Sequence, residues 1–498
     1  MVGTLLGLDL GTSACKAVLL AEDGRVIGIG SAEYPVHQPA PTWAEQDPAL
    51  WWRGAREAIQ QALGAAGVEG RDVRGVGLTG QMHGMVALDA DLEVIRPAII
   101  WSDQRSAPQA EDLVRRVGTA RVVEMVANPP LPNFTATKLL WMAEHEPALY
   151  RRIRHVLLPK DYVRLRLTSE LGTDVSDASG TLCFDVTARR WSRPACELLG
   201  IDPAWWPEAS ESAQVTGAVS RTGAAQTGLA EGTPVVAGAG DQAASAVGSG
   251  IVRSGLVSVT IGTSGVVFAA TDRVIRDPQG RLHTFCHAVP EMWHVMGVTQ
   301  SAGGALAWWK TAFAEGQSYD DLMLAAEAIP PGAEGVIFLP YLMGERTPHT
   351  DPRARGVFFG LTPRHSAAHC TRAVLEGVSQ SMRDCLDLIE EIGCPVHEIR
   401  MTGGGAKSPL WRQIQADVFA RPVRAVGGSE GPASGAALLA AVGTGVFDSV
   451  AQACQAALTA GAETRPAPDA VAAYIEQGEI YRALYRALRP VFAQAAGS

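Results

Sequence analysis

Thr4-Leu-Leu-Gly-Leu-Asp-Leu-Gly-Thr-Ser13 opens the chain, and Leu256-Val-Ser-Val-Thr-Ile-Gly-Thr-Ser264 repeats its pattern half a chain later. Each is a short apolar run closed by Gly-Thr-Ser, and an apolar run resumes after each, at Ala17–Leu20 and at Val266–Ala270. Apolar run, glycine turn and apolar run predict a β-hairpin. Two such hairpins so far apart, with no shorter period between them, predict two similar lobes rather than a solenoid. Arg25–Gly30 adds a third run, so the chain is expected to begin as an antiparallel meander. Helical spacing follows over Pro48–Leu63, with Asp47 placed to cap it ahead of Pro48. A buried strand is expected at Val76–Leu78. Strand and helix signals alternate from there, which is the α/β pattern. The boundary is expected in the turn-rich Gly250–Ser254, giving lobes 1–250 and 251–498, and Pro468–Leu488 reads as a terminal helix.

At 498 residues the chain exceeds one ordinary hydrophobic core. Its 47% hydrophobic and 19% charged residues exclude a disordered chain. A net charge of −10 leaves no basic footprint, so no nucleic-acid partner is expected. Arginine far outnumbers the five lysines, Lys16, Lys138, Lys160, Lys310 and Lys407, a bias given no functional weight. Eight cysteines without a C-x-x-C pair read as reduced, mostly buried thiols. No basic leader precedes the first run, and the most apolar stretch, Gly431–Phe447, is broken by Gly and Ser. Neither an export signal nor a membrane span is therefore expected, and the cytoplasm is the expected location.

A glycine turn lets backbone N–H groups converge on an anion, and Thr and Ser hydroxyls add donors. One Gly-Thr-Ser is an ordinary turn. The pair points to phosphate-binding turns at Gly11, Thr12 and Ser13 and at Gly262 and Thr263. Asp9, inside the first strand, either caps its turn or anchors Mg²⁺ beside the phosphates. Gly238-Ala-Gly-Asp-Gln-Ala243 has the form of a dinucleotide loop, but Asp241 would oppose a pyrophosphate and Ser258–Gly262 lacks a ribose-binding acid. Asp241 then either caps the following helix or, ionised, accepts a hydroxyl proton. Gly403-Gly-Gly-Ala-Lys-Ser408 is no P-loop; its glycines either turn a strand into a helix or admit a flat ligand such as adenine. His283-Thr-Phe-Cys-His287, with His294, invites a zinc reading, yet its apolar neighbours suit strands, which do not align the rings. Met82-His83 and Trp101-Ser-Asp-Gln-Arg105 end apolar runs and offer either an ordinary loop or a sugar's polar set and apolar wall.

These residues resemble the FGGY carbohydrate kinases. The resemblance rests on Leu8–Ser13, Gly80–Gly84, Leu158-Pro-Lys-Asp-Tyr162, Asp174–Gly180, Gly238–Ala243, Ile261–Gly265, Leu339–His349 and Gly356–Thr362, and so covers nearly the whole chain. Phe134–Trp141 and Gly356–Glu376 are similar to the two family signatures, departing at Asn133 and Cys370. The resemblance implies two ribonuclease-H-like, actin-like lobes flanking a central cleft, and ATP- and Mg²⁺-dependent phosphorylation of a sugar hydroxyl. It implies Asp241 as catalytic base and Met82 and His83 as further sugar-binding residues; Asp103 is a sugar-binding candidate from its place in Trp101–Arg105 alone. Asp9 would serve the metal; Gly11, Thr12, Ser13, Gly262, Thr263, Gly303, Gly404 and Gly405 would serve ATP. Small-molecule partners are expected, a ketopentose and ATP, with no membrane, and a homodimer is allowed. Gln81-Met-His83 favours a ketopentose over glycerol, whose kinases carry a charged pair there; ribulose and gluconate are the other sugars considered. An actin- or chaperone-type switch ATPase is the rival of another class that the fold admits.

Overall fold

The computed structural model describes residues 3–495. The first half builds β1 (Thr4–Leu10), β2 (Ala14–Ala21), β3 (Val26–Glu33), α1 (Pro48–Ala66), β4 (Val73–Gly80), β5 (Val215–Ala218), β6 (Pro234–Val236), β7 (Ala239–Gly240) and α2 (Asp241–Gly248). Strand order in its sheet is β5-β6-β4-β1-β2-β3, with β7 also on β4. The expected meander is present as antiparallel β1-β2-β3, and β4 runs parallel to both β1 and β6. The Asp47 side chain accepts from the Ala49 N–H at 2.9 Å, Pro48 opens α1, and Gly67 at φ +66° ends it. Trp51, Ala55, Ala58, Ile59 and Ala62 form its buried stripe against the sheet.

The chain divides into two compact units after Arg253. The first unit also takes Ala270–His294 and Gly428–Thr459; the second holds Ser254–Ala269, Val295–Gly427 and the chain from Ala460. A single cut after residue 250 would thus separate the helix Pro432–Gly443 from the sheet it covers. That helix is the apolar stretch noted in the sequence, and a helix apolar on all sides is a buried one. Gly7 and Gly77 let it lie on β1 and β4: a Cβ there would stand 1.9 Å from the Ala433 carbonyl oxygen and 2.0 Å from that of Ala436.

The second unit repeats the plan with β8 (Leu256–Ile261), β9 (Gly265–Thr271), β10 (Trp293–Thr299), α3 (Gly303–Phe313), β11 (Glu398–Gly403), β12 (Val423–Gly427) and β13 (Thr459–Thr464). Its sheet order is β10-β9-β8-β11-β12-β13. The β8-β9 hairpin is antiparallel, and β11 is parallel to β8 and to β12, as β4 is to β1 and to β6. Each unit is therefore a mixed sheet of ribonuclease-H-like order with helices on it. The terminal helix runs past Leu488 to Ala495. Among the described residues no helix is long and apolar enough to cross a membrane.

Candidate active site

Register alone brings three of the expected segments together. Asp9 on β1 pairs with Thr79 on β4, and Thr79 with Ala239 on β7; one step on, Leu10, Gly80 and Gly240 are level. Asp9, the segment Gln81–Gly84 and Asp241 thus come from the carboxyl ends of three neighbouring parallel strands, where α/β sheets gather their ligand-binding groups. Met82 packs on Gly240, where a Cβ would stand 3.0 Å from its Cγ.

Gly240, not Asp241, holds the cap position of α2, and Asp241 is the first helical residue. The capping reading is set aside. Burial pushes the Asp241 carboxyl up to about 6, against donors from Gln242 that pull it down. Asp9 is pushed up to about 7, first by burial and then by the charge of Asp241, with Lys16 opposing. Its Oδ1 is enclosed and takes no hydrogen bond among the described residues. An orphaned carboxylate oxygen beside a second carboxylate fits a divalent cation bound through oxygen.

In the Gly11–Ser13 turn the carbonyls are tied back. Gly11 accepts from the Tyr34 hydroxyl at 2.7 Å, Thr12 from Gln46 Nε2 at 2.8 Å and Ser13 from the Tyr34 N–H at 3.0 Å. Among the described residues the N–H groups of Thr12 and Ser13 make no hydrogen bond, the arrangement an anion-binding turn requires. The Trp101 indole N–H donates to the Thr12 hydroxyl at 2.8 Å. The second unit does the same: Gly262 accepts from the Gly303 N–H at 2.7 Å, and Thr263 from Ala302 and Gly304 at 2.9 and 3.0 Å. Gly303 is glycine because a Cβ would stand 2.6 Å from the Gly262 oxygen. Gly405 packs on Ile261 in the same way, whereas exposed Gly404 has nothing nearer than 3.9 Å. The glycines after β11 thus include a tightly packed turn residue, Gly405, and an exposed one, Gly404.

His83 is buried with φ +68°, and its Nδ1 donates to the Gly180 carbonyl at 2.8 Å. In the neutral ring Nε2 is then the acceptor nitrogen. Asp103 departs from its expected place. It is fully buried, and its carboxylate is taken by the Arg105 guanidinium at 2.7–2.9 Å and by the Arg105 and Ala44 N–H groups. It orients Arg105, whose guanidinium lies 3.8 Å over Trp43, and presents no carboxylate oxygen to a sugar. His283–Cys286 is a strand, and His287 spends both ring nitrogens on backbone, Nε2 on the Ile251 carbonyl and Nδ1 on the Val289 N–H.

The sequence reading missed what frames this site. Lys160 Nζ, fully buried, lies 2.5 Å from Asp161, 2.9 Å from Asp174 and 3.6 Å from Asp177. Asp174 accepts from the Ser176 hydroxyl at 2.5 Å, and Ser176 accepts from the Gly240 N–H at 3.0 Å, one residue before Asp241. Lys138, also fully buried, reaches the His83 carbonyl at 3.1 Å. For Lys138 a signal was present, a rare lysine within the apolar helical stretch Thr135–His145; Lys160 sits among Asp161, Arg164 and Arg166, where nothing marks it as buried.

Residues 4–248 match the N-terminal domain of the FGGY family of carbohydrate kinases, and residues 257–444 its C-terminal domain. The chain belongs to that family. It is similar to xylulose kinase of Escherichia coli K12, 42% identical with 98% of this chain and 100% of that one covered. Among solved structures it resembles a kinase from Brucella ovis titled xyloylose kinase, with a TM-score of 0.92, 38% identity and coverage of 98% and 100%. A gluconate kinase from Lactobacillus acidophilus superposes as well, with a TM-score of 0.93 at 26% identity over 99% and 100%. Kinases titled for different sugars thus share this backbone, so the backbone alone does not set the sugar.

Proposed function

We propose that the chain transfers the γ-phosphoryl group of ATP to the 5-hydroxyl of D-xylulose. The observation that carries this reading is the level register that sets Asp9, Met82-His83 and Asp241 on adjoining strand ends; similarity to xylulose kinases supplies the substrate. Asp241 accepts a hydrogen bond from the 5-hydroxyl and aligns its oxygen with the γ-phosphorus. That oxygen bonds to phosphorus as the bond to the β,γ-bridging oxygen breaks, ADP departs with the electron pair, and the proton passes to the Asp241 carboxylate. A carboxylate does not deprotonate an alcohol in the ground state, so Asp241 chiefly orients and takes the proton late. Met82 and His83 border the sugar. Thr12 and Ser13 bind phosphate through their N–H groups, and Gly262, Thr263, Gly303, Gly404 and Gly405 are the residues proposed for the nucleotide. Mg²⁺, held by Asp9, supplies charge neutralisation to the phosphates when bound.

A panel of D-xylulose, L-ribulose, gluconate and glycerol tests the substrate. The highest kcat/KM is expected for D-xylulose, with ATP turnover low until the ketose is added. A higher kcat/KM for another member would reassign the sugar, and turnover indifferent to all four would favour a switch ATPase.

A further inference from the structure

His83 is a non-glycine residue in the left-handed region, a strained conformation that persists only where surroundings enforce it. Its carbonyl oxygen accepts two hydrogen bonds, from the Lys138 ammonium at 3.1 Å and from the Thr135 hydroxyl at 3.1 Å. Lys138 Nζ also donates to the carbonyls of Asn133 and of Phe134, the latter at 3.3 Å. Among the described residues it makes no ion pair, so a fully buried cation here serves only carbonyls. Three acceptors match the three N–H bonds of an ammonium; a neutral amine would turn its lone pair on one of them.

We propose that Lys138 is a positioning residue for the ketose: with Thr135 it locks the left-handed turn that presents Met82 and His83. This rests on the sugar-site reading of His83. Burial draws the Lys138 ammonium down to about 7, with Asp103 opposing the drop and Arg105 adding to it. The holding form is the protonated one. Ketose KM should therefore rise as pH climbs through about 7 in the wild type, whereas Lys138→Met should lack that rise. His83, the titratable group in the turn itself, remains in both proteins and is common to the comparison.

The test is steady-state kinetics with D-xylulose and ATP on His83→Asn, Lys138→Met, Thr135→Val and the His83→Asn/Lys138→Met double variant. Asn tolerates a positive φ, so His83→Asn removes the ring without straining the turn. Expected are a ketose KM raised about 10–100-fold by Lys138→Met and about 2–10-fold by Thr135→Val, with KM for ATP within about two-fold. Adding Lys138→Met to His83→Asn should cost little more, because the ring that the turn presents is already gone. If His83→Asn raises ketose KM but folded Lys138→Met does not, the inference falls and the His83 reading stands. If His83→Asn leaves ketose KM unchanged, both fall. Equal rises in the two KM values, or full additivity in the double variant, would overturn the positioning role in favour of a structural one. Should Lys138→Met not fold, Thr135→Val decides: an unchanged ketose KM refutes the proposal.

Discussion

Asp241→Asn should lower kcat by about 10²–10⁴-fold while leaving the protein as stable as before or more so. The amide keeps the size of the carboxyl and can still accept a hydrogen bond, but it cannot take the proton from the sugar. The stability half follows from the same burial. A carboxyl raised to about 6 in the folded chain is destabilising once ionised, because the unfolded chain ionises it at lower pH and greater ease. Above pH 6 that cost is present; a neutral isostere removes it, so the thermal midpoint should hold or rise as activity collapses. In the wild type, kcat/KM for the ketose should fall as pH drops through about 6, and the residual activity of Asp241→Asn should not follow that limb. A variant keeping more than about a tenth of wild-type kcat would move the base elsewhere. A lost midpoint alongside lost activity would instead make Asp241 a structural residue.

The parts of this molecule legible in sequence are those whose physics is local. Each Gly-Thr-Ser turn follows its strand within a few residues, and the Asp47-Pro48 start of α1 is a contact between near neighbours. Asp241 could be placed at a helix start by sequence, and the cap geometry of Gly240 removes the capping alternative; its part as base is the proposal made above. What stayed hidden depends on partners far along the chain. The helix Pro432–Gly443 is apolar all round, so its periodicity names no face and gave no hint that it returns to β1 and β4. The glycines at 7 and 77 were the trace of that return. Asp103 looked like a sugar ligand because it lies in a polar set at the end of an apolar run, with Trp101 beside it as an apolar wall. Its pairing with Arg105, two residues on, is local, but its bond to the Ala44 N–H spans 59 residues and could not be read from the spacing. Lys138 meets the His83 carbonyl across 55 residues, and nothing in the spacing of either segment announces the other.

Lys160→Met should destabilise the first unit by about 3–5 kcal/mol, the cost of stripping the cation from buried carboxylates. Burial alone would draw the Lys160 ammonium down, but Asp161, Asp174 and Asp177 outweigh it and hold its proton tightly. Their own balance is the reverse. Burial holds Asp161 and Asp177 above the ordinary carboxylate range even with Lys160 pulling against it. Without the ammonium these carboxyls rise further. A carboxyl raised in the folded state favours folding at pH values below its unfolded pKa and loses that advantage as pH climbs through the folded one. The deficit of Lys160→Met against wild type should therefore be largest near about pH 8 and shrink toward about pH 5.5, as protons replace the missing cation. Urea denaturation of both proteins at the two pH values measures it; an equal deficit at both would sink the account. The consequence reaches the chemistry through one chain of contacts. Asp174 orients the Ser176 hydroxyl, and Ser176 receives the Gly240 N–H just ahead of Asp241. Lys160→Met at low pH should thus recover stability before kcat, because protons on Asp161 and Asp177 do not restore the ammonium that fixes Asp174 beside Ser176.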